Sequence, residues 1–143
     1  MTAETSEAVV GDTMVVSALM NSAYDPRAVD YTSLIAGRRI LVSFATVTEL
    51  RYGALKARWG ELRRRGLERD LSRFVYVVPD DAPMTTCAEL RAHCERSGHP
   101  LGQKIHEADR WIAATAIKLG VQLVSDDAVF RGVPELSVIS TRT

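Results

Sequence analysis

No excess charge of either sign marks this chain: 18 lysines and arginines offset 18 aspartates and glutamates, and the pI lies near 6.8. A global field drawing it to nucleic acid or to a membrane surface is thereby excluded, so any polyanion contact must come from a local patch. Long apolar runs are also missing, none approaching the roughly 18 residues of a membrane span. The start, MTAETSEAVV, has neither a basic stretch nor an apolar core of a leader. A soluble, cytoplasmic protein without membrane attachment is expected. Cysteine is scarce. Cys87 and Cys94 fall on one face of an expected helix, roughly 10 Å apart at ~1.5 Å rise per residue. That distance excludes a disulfide and a shared zinc, leaving buried, reduced thiols. There is no glycine-rich phosphate loop, no Cys-x-x-Cys pair and no Ser-His-Asp order of note, so nucleotide-cofactor and nucleophilic-triad chemistry find no support.

What is present alternates. The 143 residues suit one domain, 1–143, with 1–7 as a flexible tail. AVVGD (8–12), RRILVS (38–43), FVYVVP (74–79), VQLVS (121–125) and LSVIS (136–140) have the character of strands. FVYVVP is apolar throughout, as a strand buried on both faces would be. Helices are expected from Thr13, over 25–37 with an Asp cap and Pro at N1, and over 46–59, 61–74, 80–98 and 108–120. Trp111, Ile112, Ala113, Ala116 and Leu119 give the last helix a broad apolar face with small residues, suited to lying close on a sheet. Strands alternating with helices predict an α/β three-layer sandwich around a mainly parallel sheet of four or five strands.

In such a sheet, strand C-termini and helix N-termini share one edge, where α/β ligands bind. Asp12 ends the first strand, Glu49 lies in the first turn after the second, Glu107 and Asp109 open the last helix, and Asp126 and Asp127 follow the fourth strand. Each has a local explanation: an N-cap for Asp12, a capping box in TVTE (46–49), the macrodipole for Glu107 and Asp109, and a turn for Asp126 and Asp127. None of these explains why all should meet at one end. Converging carboxylates repel unless a cation neutralises them, and an oxygen-only set selects Mg²⁺ or Mn²⁺. Metal-assisted phosphodiester hydrolysis is the chemistry such a set serves.

GDTMVVSALM, FATVTELRYGA, GQKIHEADRWIAATAIKLG and VQLVSDDAVF resemble, in order and spacing, the four acidic motifs of PIN-domain nucleases, and most closely those of VapC-type ribonuclease toxins. The likeness runs from about Val9 to Ser140. It implies an Mg²⁺- or Mn²⁺-dependent endoribonuclease, a homodimer, held inactive by a VapB-type antitoxin. Carried over by position, Asp12, Glu49 and Asp109 are the core metal ligands and Asp127 supports a second metal or the water network. Thr13 and Ser125 match hydroxyl positions that orient the carboxylates. Met14 departs from the Asn or Ser common after the "DT", and the doubled Asp126-Asp127 leaves the fourth ligand open, with the spacing to Phe130 favouring Asp127.

The segment 56–73 is rich in arginine, and Arg63 and Arg64 there, with Lys104 and His106 ahead of Asp109, are candidate RNA contacts. A solvated helix face with a Glu61–Arg65 pair, and an exposed loop His, explain the same residues without RNA. Two rivals remain: a PIN-like module that binds RNA or a partner without cutting, and a phospho-receiver using Asp80 or Asp81. The receiver lacks its late-strand lysine, since SVISTRT offers none.

Overall fold

In the computed structural model, which describes residues 7–142, every strand pairing is parallel. The elements run β1 (Ala8–Gly11), α1 (Thr13–Met20), α2 (Arg27–Ile35), β2 (Arg39–Ser43), α3 (Phe44–Lys56), α4 (Glu61–Leu71), β3 (Val75–Val77), α5 (Asp81–Ser97), α6 (Glu107–Leu119), β4 (Gln122–Val124) and β5 (Val138–Ile139). The sheet order is β3-β2-β1-β4-β5, so the first strand is central and Gly11 sits beside both Val42 and Val124. Of the expected tail, only Glu7 lies among the described residues, and its carbonyl accepts from the Arg39 amide at 2.8 Å.

Side-chain alternation along β1 builds the three layers. Val9 points into a cluster with Val15, Ala18, Tyr31 and Ile35, under α1 and α2. Val10 points the other way, against Leu90, Cys94, Leu101, Ile112, Ala113 and Phe130, under α5 and α6. A third cluster joins Val16 and Val42 to Val47, Ala54, Leu67 and Leu71 of α3 and α4. Ala113 and Ala116 are fully buried, which lets α6 approach the sheet closely, and α6 ends on a left-handed Gly120. Cys87 and Cys94 are buried and free, as expected. Among the described residues, no helix is long and apolar enough to cross a membrane.

The fold departs from the sequence-based expectation at three points. FVYVVP forms only Val75–Val77, an edge strand paired to β2 alone among the described residues, with Val75 and Tyr76 about half exposed. Helix α2 begins at Arg27, with Pro26 just outside it and Asp25 Oδ1 accepting from the Arg27 amide at 3.0 Å. Helix α3 begins at Phe44, capped by the Ser43 side chain on the Ala45 amide at 3.2 Å. Thr46 is therefore inside the helix, TVTE is no capping box, and Glu49 lies in the second turn rather than the first.

One contact fixes the loop before α6. A Cβ on Gly102 would lie 2.7 Å from the Glu95 nitrogen and 2.9 Å from the Cys94 carbonyl carbon. Both atoms are helical backbone and yield little. Gly102→Ala is therefore expected to lower stability by about 2 kcal/mol, read from the urea midpoint; an unchanged midpoint would show that the turn can move away from α5.

Candidate active site

Adjacency of β1 and β4 decides the first contact. Gly11 pairs with Val124, so the next residues, Asp12 and Ser125, leave the sheet side by side, and the Asp12 amide donates to the Val124 carbonyl at 3.2 Å. The Ser125 hydroxyl donates a hydrogen bond to Asp12 Oδ2. Asp12 Oδ1 caps α1 by accepting from the Val15 amide at 2.9 Å, so the capping role expected for it is real and coexists with the Ser125 contact. The Asp12 carboxyl is buried.

Thr13 ties the second acid to the first. Its hydroxyl donates to Glu49 Oε1 at 3.3 Å, which leaves its lone pair for the buried Thr46 hydroxyl at 3.1 Å. Asp109, in the first turn of α6, accepts from the His106 ring, with Nδ1 2.9 Å from Oδ2. Asp127 donates its amide to Ser125 Oγ at 3.0 Å and accepts from the Val129 amide at 3.0 Å, capping the 3-10 turn Ala128–Phe130.

These acids lie within one another's field. Burial raises the Asp12 pKa, the Ser125 and Val15 hydrogen bonds pull it back, and the charges of Asp127 and Asp109 push it up again. Glu49 is raised by burial and by Asp109, against the Thr13 hydrogen bond, with a further push from Asp12. Asp12 and Glu49 are thus destabilised as anions by burial and by neighbouring acids, the condition a cation relieves. Their donors are all oxygen, which fits Mg²⁺ or Mn²⁺ in kind. Among the described residues, no three His, Cys, Asp or Glu side chains are gathered closely enough to hold a metal ion as they stand.

Hydrogen bonding sets Asp126 apart from Asp127. Asp126 Oδ1 accepts from Ser140 Oγ at 2.5 Å and the Thr141 amide at 2.8 Å, while Oδ2 accepts from Thr141 Oγ1 at 2.6 Å and the Tyr31 hydroxyl at 2.9 Å. Burial works against its charge, but these four donors hold the carboxyl well below the usual range. Burial and the same carboxylate push the Tyr31 phenol up to about 12. Asp126 is committed to holding the segment after β5, while the charge of Asp127 acts on Asp12.

The remaining candidates scatter. Lys104 is exposed on the 3-10 turn Lys104–His106, beside an 84% exposed Ile105. Arg63 stacks its guanidinium 3.9 Å over Trp59, and Arg64 borders a groove between α3 and α4 that Glu61 and Glu68 line but Asp12, Glu49, Asp109 and Asp127 do not. The Glu61–Arg65 pair forms at 2.6 Å. Glu107 and Asp109, two residues apart on a helix, part company: Glu107 exerts its field on Cys87 of α5. Asp80 caps α5 through the Ala82 amide at 3.3 Å, at the end of an edge strand. Met14 lies beside Asp12 with its side chain exposed.

Sequence reasoning passed over three arginines. Arg110 is 2% exposed and donates Nη1 to the Leu101 and Gln103 carbonyls at 3.1 and 2.6 Å. Arg27 and Arg142 line a cleft of about 370 Å³ together with Asp12, Tyr31 and Asp127.

The PIN domain sequence model matches residues 9–136. No curated protein matches the chain. Solved structures do: a chain of VapBC2 from Rickettsia felis bound to a promoter DNA fragment is 24% identical, with 93% of this chain and 98% of that one covered at a TM-score of 0.75. A chain of VapBC-1 from nontypeable Haemophilus influenzae is 23% identical, with 95% and 99% covered at 0.75. A chain of VapBC-5 from Mycobacterium tuberculosis, a member of the VapBC family of toxin–antitoxin systems, is 26% identical, with 94% and 98% covered at 0.65.

Proposed function

The chain belongs to the PIN domain family, and from that premise we propose that it is a metal-dependent endoribonuclease, the toxin of a toxin–antitoxin pair. The observation that carries this reading is that Asp12, Glu49, Asp109 and Asp127, from four separate stretches of sequence, come together, Ser125 bonding Asp12 and the Asp127 amide, Thr13 bonding Glu49, and the charge of Asp109 acting on both Asp12 and Glu49. Asp12, Glu49 and Asp109 would hold Mg²⁺ or Mn²⁺, with Asp127 beside them. Such an ion, when bound, lowers the pKa of water and offsets charge developing on a phosphodiester.

The chain's own part is orientation. Ser125 fixes one Asp12 oxygen and the Val15 amide the other, so the carboxylate cannot rotate away. Thr13 holds one Glu49 oxygen and leaves the second open. His106 steadies Asp109 and keeps one of its oxygens free. With water as nucleophile the products carry a 5′-phosphate and a 3′-hydroxyl; a 2′,3′-cyclic phosphate would signal attack by the RNA's own 2′-hydroxyl instead.

The VapBC complexes among its structural relatives support a VapB-type antitoxin as partner. A homodimer in the cytoplasm is part of the same reading. The test is incubation of total cellular RNA with the purified, partner-free protein, with Mg²⁺ or Mn²⁺ or with chelator, beside Asp12→Ala. Discrete fragments that vanish with chelator and with the variant are expected. A folded protein that binds metal and cuts nothing would favour a PIN module that binds without cleaving.

A further inference from the structure

Four carboxylates repel the phosphodiester they are meant to cut, and the chain's zero net charge supplies no attraction of its own. Local cations must do so. Two arginines share the cleft that Asp12 and Asp127 border, Arg27 from the start of α2 and Arg142 from the segment after β5. Neither pairs with those acids.

Each is aimed by a different carboxylate. Asp25 grips Arg27 with two parallel bonds, Nε to Oδ1 at 3.1 Å and Nη2 to Oδ2 at 2.7 Å, and also accepts from the Arg27 amide. That fork uses two of the five guanidinium N–H groups and leaves the rest for a ligand. Arg142 is placed at one remove. Ser140 Oγ donates to Asp126 and accepts from the Arg142 amide at 3.0 Å, while Thr141 binds Asp126 through both its amide and its hydroxyl. The Arg142 side chain has no ion pair among the described residues. Asp126, adjacent to Asp127 and bordering the same cleft, thus fastens the strap that carries Arg142 there.

We propose that Arg27 and Arg142 clasp the RNA phosphate next to the one that is cut, and that Asp25 and Asp126 are positioning residues that aim them. This rests on the nuclease reading for the identity of the ligand. Guanidinium groups suit it because they bind phosphate oxygens bidentately and stay charged at every relevant pH.

The test measures binding of a mixed-sequence single-stranded RNA oligonucleotide to the non-cutting Asp109→Asn protein across a salt series, with Arg142→Ala, Arg142→Lys and Arg96→Ala added in turn. Arg142→Ala should weaken binding by roughly tenfold. It should also flatten the slope of log K against log salt by about 0.7, the share of one phosphate contact on a single strand. Arg142→Lys should recover part of the affinity and most of the slope. Arg96→Ala, an equal charge change in a cleft between α5 and α6, should change neither. In the cutting protein, Arg142→Ala should raise KM and spare kcat. Asp126→Asn should weaken binding no further once Arg142 is already alanine.

An unchanged affinity and salt slope in Arg142→Ala would overturn the inference, as would an equal loss in Arg96→Ala. So would unchanged RNA binding with weaker inhibition by the antitoxin, which would assign the cleft to the protein partner. RNA that is bound in an Arg142-dependent way but never cut by the wild type would uphold the clasp and overturn the nuclease reading alone.

Discussion

Asp109→Asn is expected to reduce RNA cleavage by a thousandfold or more while leaving the melting temperature unchanged or higher. Groups that merely orient a metal ligand are worth roughly 10- to 100-fold. A carboxylate that contacts the ion directly is worth more, on the order of a thousandfold, because charge as well as geometry is lost. Stability should move the other way. Asp109 raises the pKa of both Asp12 and Glu49, so its negative charge opposes the ionised forms of two partly buried acids at neutral pH. The amide removes that repulsion, and its oxygen can still accept from His106, where the contact is 2.9 Å. Cleavage assays and thermal melts without divalent ion check both halves. Wild-type cleavage rates would remove Asp109 from the site, and a melting temperature several degrees lower would mean that the acids are not repelling one another.

Arg110→Ala is expected to cost about 3–5 kcal/mol, the largest loss from any single truncation of a charged residue here. Arg110 is among the largest fully buried side chains, and it spans from α6 to the carbonyls of Leu101 and Gln103. Truncation opens a void in the α5–α6 core and strands two carbonyls without donors. Arg110→Met refills most of the volume but supplies no donor, so it should recover less than half of the loss. Urea unfolding of the two variants separates packing from hydrogen bonding. A cost below about 1 kcal/mol for Arg110→Ala would mean that water takes the place of the guanidinium. The same change should loosen the turn carrying His106, and with it the hold on Asp109.

Where the sequence was misleading, the cause was a neighbour far along the chain. FVYVVP has the composition of a central strand, yet composition cannot say whether another strand lies beyond it. The TVTE pattern matches a capping box, but Ser43, at the end of β2, captures the cap and starts α3 earlier. Asp126 and Asp127 differ in nothing local. Their roles separate because Tyr31, 95 positions away, and the strap at 140–141 claim one of them.

By itself the sequence determined the alternation of strands and helices, the family, and the placing of acids at strand ends and helix starts, since each of these is written in short-range periodicity and spacing. Only the tertiary structure decided the strand order, the burial of Arg110, the place of Glu49 one turn into its helix, and which of two adjacent aspartates ties down the segment after β5. Those outcomes depend on which distant hydroxyls, amides and carbonyls arrive within about 3 Å, and chain folding alone brings them there.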